Sequence, residues 1–141
     1  MELKQIYTEL IREHSNNKLN KRPLEGDHLS ELGHNPSCGD EITLNIKVED
    51  GIVKDASYEG IGCAISQASA SMMVDVIKGK TVEEAKHLAE VFIGMIKGDV
   101  TDEEELEKLE DAIALQNISV LPARVKCAVL AWHTLDNLLK K

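Results

Sequence analysis

The sequence predicts an α+β fold, a small antiparallel β-sheet with helices packed on one face. Three observations carry that expectation. Ile42, Leu44, Ile46 and Val48 alternate with Glu41, Thr43, Asn45 and Lys47, the period of a strand with one face on a core and one in water. On both sides of this stretch the apolar residues recur at three- and four-residue spacing, which marks amphipathic helices. At 141 residues, 43% apolar and 29% charged, the chain suits one domain over 1–141 whose core needs no disulfide staples.

Leu3, Ile6, Tyr7, Leu10 and Ile11 define the first helix, which ends near Ser15-Asn16-Asn17. From Lys18 to Pro36 the pairs Arg22-Pro23, Gly26-Asp27 and Asn35-Pro36, with Gly33, interrupt every period, so a long loop is expected there. The alternating strand follows, then Glu49-Asp50-Gly51 as a hairpin turn, with Ile52 to Tyr58 returning antiparallel. Ala64 to Lys78 reads as a helix with Ile65, Ala68, Met72, Met73, Val76 and Ile77 inward, ended by Gly79. Thr81-Val82-Glu83-Glu84 is a capping box that opens a further helix through Ala85, Leu88, Ala89, Phe92 and Ile96, stopped by Gly98. Leu106, Leu109 and Ile113 predict one more helix from Asp102 to Leu115. Pro122 suits the first position of a last helix that turns Val125, Val129, Trp132, Leu135 and Leu139 inward.

Charge is unevenly spread. Asp99, Asp102, Glu103, Glu104, Glu105, Glu107, Glu110 and Asp111, against Lys108 alone, give this segment −7 of the chain's net −9. A solvated helix face is the plain reading, a docking surface the functional one. The overall balance opposes general affinity for nucleic acid or anionic membranes. No apolar run approaches the ~18 residues of a membrane span, and Met1-Glu2-Leu3-Lys4-Gln5 has no basic stretch leading into an apolar one. A soluble, cytoplasmic protein is expected.

The chain has three cysteines, Cys38, Cys63 and Cys127. An odd number without a secretion signal argues for thiols used as ligands or nucleophiles in a reducing compartment. Cys38 stands two residues before Asp40 in Pro36-Ser37-Cys38-Gly39-Asp40, and Cys63 follows Gly60-Ile61-Gly62 at the predicted start of a helix. There the free backbone N–H groups and the helix dipole favour a thiolate. Three thiolates and a carboxylate can fill the four-ligand tetrahedral shell of zinc without water. The bland alternative is small buried cysteines packed in a core. The C-x2-C spacing of zinc fingers and thioredoxin-like sites is absent, as is the H-x-E with P-C-x-x-C of nucleobase deaminases. His14, His28, His87 and His133 suit solvated or core roles, while His34, four residues before Cys38, is a candidate spare ligand or proton carrier. Arg124 precedes Cys127 by one helical turn on the same face, where a cation would lower a thiolate pKa or hold Asp40. Lys126 lacks that placement.

Taken in order, Cys38-Gly39-Asp40, then Gly60-Ile61-Gly62-Cys63-Ala64-Ile65-Ser66-Gln67-Ala68-Ser69-Ala70-Ser71, then Leu121-Pro122-Ala123-Arg124-Val125-Lys126-Cys127 resemble the IscU/NifU-like proteins of iron-sulfur cluster biogenesis. The resemblance spans nearly the whole chain. Lys126 stands where the family's cluster scaffolds have a histidine, and the acidic segment at about 99–117 reads as an insertion; both features resemble the SufU branch. That branch implies zinc held by Cys38, Asp40, Cys63 and Cys127, and a sulfurtransferase role in which Cys38 accepts persulfide sulfur from a cysteine desulfurase and passes it to downstream iron-sulfur assembly proteins. Arg124 is the added candidate for the chemistry. A metal-bound Cys38 stays thiolate and protected from oxidation, but attacks poorly until it is released. Two alternatives use the same residues: a scaffold holding a transient Fe-S cluster, and a purely structural zinc module that binds a partner.

Overall fold

Alternation along one strand sets the sheet, and the sheet sets everything that packs on it. The structure, a computed structural model, describes residues 3–16, 19–36, 39–120 and 122–140. The chain runs α1 (Leu3–Asn16), β1 (Leu29–Asn35), β2 (Asp40–Glu49), β3 (Ile52–Ile61), α2 (Ala64–Ile77), α3 (Val82–Lys97), α4 (Glu103–Glu107), a 3-10 segment (Glu110–Val120) and α5 (Pro122–Leu139). The three strands form one antiparallel sheet in the order β1-β2-β3.

In β2, Ile42, Leu44 and Ile46 point inward and are fully buried, as the alternation requires. Asp50 and Gly51 both take positive φ, 54° and 75°, making the two-residue turn whose twist matches a hairpin. β3 returns further than expected, to Ile61. Its register slips between Lys47 and Val48, so that Lys47 faces Asp55 and Val48 faces Val53. The extra residue, Lys54, is exposed, and the bulge lets Val53, Ala56 and Tyr58 all face the core despite their uneven spacing. Residues 20–22 close part of the outer edge of β3, with Tyr58 N–H donating to Asn20 C=O at 2.9 Å and Arg22 N–H to Tyr58 C=O at 3.0 Å.

Two expectations are corrected. The stretch read as continuous loop from Lys18 to Pro36 contains β1, paired with β2 from Leu29↔Ile46 to Asn35↔Asp40. It shows no apolar alternation because its inward positions are Glu31, Gly33 and Asn35, while Leu29 and Leu32 are exposed. At Gly33 a Cβ would run into Thr134 Oγ1 of α5, so the strand meets the helix through bare backbone. The second correction concerns the helix expected from Asp102 to Leu115. α4 ends at Glu107, Glu110 adopts φ 51°, and the chain continues in 3-10 turns. Its buried residues, Leu106, Leu109, Ala112, Leu115 and Ile118, recur every third position, the period of a 3-10 rather than an α-helix.

The other helices begin and end as read. Thr81 Oγ1 accepts Glu84 N–H at 3.1 Å, and Gly98 closes α3 with φ 83°. α2 is buried almost all round, because α1, α3, α5, the 3-10 segment and the sheet surround it. α1 docks through Ile11 and Leu10; Leu3, Ile6 and Tyr7 lie outside the described side chains. His14 is a satisfied core histidine, its ring nitrogens 3.0 Å from Ser71 Oγ and 3.0 Å from Asp111 Oδ2.

Two polar details of the core lead to predictions. Ser69 Oγ accepts the indole N–H of Trp132 at 2.9 Å, and the Trp132 ring stacks on Phe92 with centroids 4.3 Å apart. Ser69→Ala is expected to destabilise the chain by about 1–3 kcal/mol, since it strands a buried donor, and urea unfolding reads the change. Tyr58 is fully buried, its hydroxyl has no hydrogen-bond partner among the described residues, and burial pushes its pKa up. Tyr58→Phe is therefore expected to leave stability unchanged or raise it by about 1 kcal/mol in the same assay. A clear loss would mean that the hydroxyl has a partner.

Candidate metal centre

Three elements meet at the end of the sheet where β1 hands over to β2. Asp40 is the first residue of β2 and, in register with the inward Ile42, Leu44 and Ile46, it is fully buried. Cys63 caps the N-terminus of α2, its Sγ accepting the Ser66 N–H at 3.5 Å. Cys127 lies in the second turn of α5 and is fully buried. One carboxylate oxygen of Asp40 and the two sulfurs lie within 4.8 Å of one another.

The carboxylate is held by one oxygen only. Asp40 Oδ1 accepts the Cys63 N–H at 2.9 Å, while Oδ2 is buried and without a hydrogen-bond partner among the described residues. A buried, unpartnered carboxylate oxygen costs free energy unless a cation satisfies it. Beside two thiols, the Asp40 carboxylate completes a donor set of the kind zinc takes. The residues present therefore fit a metal ion. Zinc bound there would draw on Asp40, Cys63 and Cys127. Cys38 lies outside the described residues; next to it, Gly39 N–H donates to Asn35 C=O at 2.9 Å.

Around the donors the packing is close. A Cβ on Gly62 would collide with Ser66 Oγ and come within 2.9 Å of Asp40 Oδ1, so only glycine lets the strand end pass between them. Ser66 Oγ sits 3.8 Å from the Cys63 sulfur and donates to the Cys63 carbonyl at 3.0 Å. The Cys63 sulfur first, and a hydrogen bond to the Cys127 sulfur second, hold the Arg124 guanidinium above its ordinary pKa. The i, i+3 spacing thus brings Arg124 to both thiols, while Lys126 is exposed. His34 is exposed as well, its Nε2 4.0 Å from Glu41 Oε1, and it does not join the cluster. Sequence reasoning gave Ser66 and Gln67 no role of their own at the site. The signal for the first was available, since Cys63-x-x-Ser66 repeats the cap-and-third-residue spacing of a capping box.

A three-stranded antiparallel sheet under helices, with a carboxylate and two thiols gathered at its end, defines a small α+β domain able to take a metal ion. The chain belongs to the NifU-like N-terminal domain family, which residues 6–141 match. It is 48% identical over 141 residues to the iron-sulfur cluster assembly scaffold protein IscU of Thermotoga maritima, covering 100% of this chain and 97% of the relative. It is 43% identical over 131 residues to the zinc-dependent sulfurtransferase SufU of Bacillus subtilis, covering 93% and 87%. Among solved structures it resembles a SufU crystal structure from Fervidobacterium islandicum AW-1, described as an assembly scaffold of the SUF system, with TM-score 0.87, 38% identity and coverage of 96% and 97%. No helix among the described residues is long and apolar enough to cross a membrane.

Proposed function

We propose that this chain serves iron-sulfur cluster biogenesis in the cytoplasm as a zinc-dependent sulfur acceptor for a cysteine desulfurase. The observation that carries the reading is the Asp40 carboxylate, one oxygen of which lies within 4.8 Å of two thiol sulfurs and whose buried Oδ2 has no hydrogen-bond partner among the described residues, a donor set that calls for a cation. Zinc, when bound by Cys38, Asp40, Cys63 and Cys127, keeps the sulfur donors deprotonated. The transfer itself belongs to Cys38. Once Cys38 is released, its thiolate attacks the terminal sulfur of the desulfurase persulfide, a new S–S bond forms on Cys38, and the desulfurase cysteine departs as a thiolate, so no external oxidant is consumed. Arg124 places a fixed positive charge beside Cys63 and Cys127. Downstream assembly proteins then take the sulfur. The acidic stretch of about 99–117 is an insertion in the single 1–141 domain. Seven of its acids, all but Glu105, are exposed, and Glu105 pairs with His87 and Lys108.

A second reading is favoured by the 48% identical relative named as a scaffold. In it the same residues hold a cluster in transit. One experiment separates the two: metal content of the purified chain, with desulfurase turnover measured with and without stoichiometric protein. About one zinc per chain and strong stimulation support sulfur acceptance. Iron with acid-labile sulfide and little stimulation support the scaffold.

A further inference from the structure

We propose that Gln67 is a positioning residue that locks the peptide plane from which Cys63 projects, and that Lys21 locks Gln67. The inference rests on the reading of Cys63 as a metal ligand. The Gly62 carbonyl and the Cys63 amide belong to one peptide unit, and both of its polar ends are gripped. Asp40 Oδ1 accepts the N–H at 2.9 Å, and Gln67 Nε2 donates to the C=O at 2.8 Å. A rotation of this plane would break both bonds at once. It would also disturb the backbone at Cys63, whose sulfur lies within 4.8 Å of an Asp40 carboxylate oxygen and of the Cys127 sulfur.

The orientation of the Gln67 amide is itself determined. Lys21 Nζ donates to Gln67 Oε1 at 2.9 Å. A lysine ammonium has only donors and a peptide carbonyl only acceptors, so the oxygen must face Lys21 and the nitrogen must face Gly62. Lys21 in turn sits in the segment paired with the edge of β3 at Tyr58, and Gln67 N–H donates to the Cys63 carbonyl at 3.1 Å. The sheet edge, Lys21, Gln67, the Gly62–Cys63 peptide and Asp40 form one hydrogen-bonded chain that ends in two of the metal donors. Outer partners of this kind set ligand orientation and affinity at metal sites.

The test uses the full chain freed of metal and titrated with Zn2+ against a chromophoric chelator and with Co2+ by absorption. Gln67→Met keeps length and removes both hydrogen bonds. Gln67→Glu keeps the Lys21 partner and turns the donor facing the Gly62 carbonyl into a charged acceptor, so it carries the test if Gln67→Met fails to fold. Both are expected to weaken Zn2+ binding about 10- to 100-fold, and to alter the thiolate-to-Co2+ absorption. Melting of the metal-free variants should stay close to that of the parent. Lys21→Met is expected to weaken binding by less than either. Wild-type affinity and spectrum in Gln67→Glu would overturn the positioning role while leaving the metal reading intact. A parent chain that binds neither ion, or whose affinity is unmoved by Asp40→Asn, would overturn the metal reading and this inference with it.

Discussion

Removing the metal is expected to lower the melting temperature by about 10 °C or more. A ligand present at about 1,000 times its Kd contributes about 4.1 kcal/mol, and in a chain of this size each kcal/mol moves the midpoint by about 2–4 °C. The donors explain why the loss falls on the fold. Asp40, Cys63 and Cys127 come from β2, α2 and α5, so a bound ion ties together elements that are otherwise joined by packing. Asp40→Asn isolates the cause. Its side-chain oxygen can still accept the Cys63 N–H, and it no longer buries a carboxylate oxygen without a partner. The metal-free variant is expected to melt no lower than the metal-free parent, yet to gain much less from zinc. Calorimetry with and without chelator reads both differences. An unchanged melting curve after verified metal removal would refute the structural contribution.

Cys38→Ala is expected to abolish sulfur acceptance. Removing the nucleophile of a covalent transfer leaves no atom to carry the group, so stimulation of the desulfurase should fall on the order of 10³-fold or more, to its unassisted rate. Intact-mass measurement provides an independent readout: the parent chain should gain one sulfur atom after turnover and the variant none. If Cys38→Ala stimulated the desulfurase fully without added reductant, Cys38 would not be the acceptor.

The sequence made the fold legible where one physical rule dominated a segment. The inward alternation of Ile42, Leu44 and Ile46, the Asp50-Gly51 turn and the Thr81 cap each depend on local chemistry and stand as read, whereas Asn45, expected on the water face, is buried between Ser30 and Ser57. β1 escaped because its inward centre is Gly33, a position set by the approach of Thr134 a hundred residues away, which no local pattern records. The acidic segment was read with the wrong period. Leu106, Leu109 and Ile113 suit a turn of 3.6, whereas the residues that are buried, Leu106, Leu109, Ala112, Leu115 and Ile118, recur every third position. The residue types single out Asp40, Cys63 and Cys127, which the fold brings together at the candidate centre. No such signal marks the grip on the Gly62–Cys63 peptide, because it depends on where Gln67 and Lys21 fall in space.

The chain's single tryptophan, Trp132, sits five residues beyond Cys127 on α5, stacked on Phe92 and bonded to Ser69. This arrangement makes the protein its own optical probe. Indole emission shifts to the red when water reaches the ring, and here the ring is fully buried where α5 packs on α2 and α3. A stopped-flow trace of that emission would time the helix carrying Cys127 as it settles or departs, with no dye attached and no residue replaced.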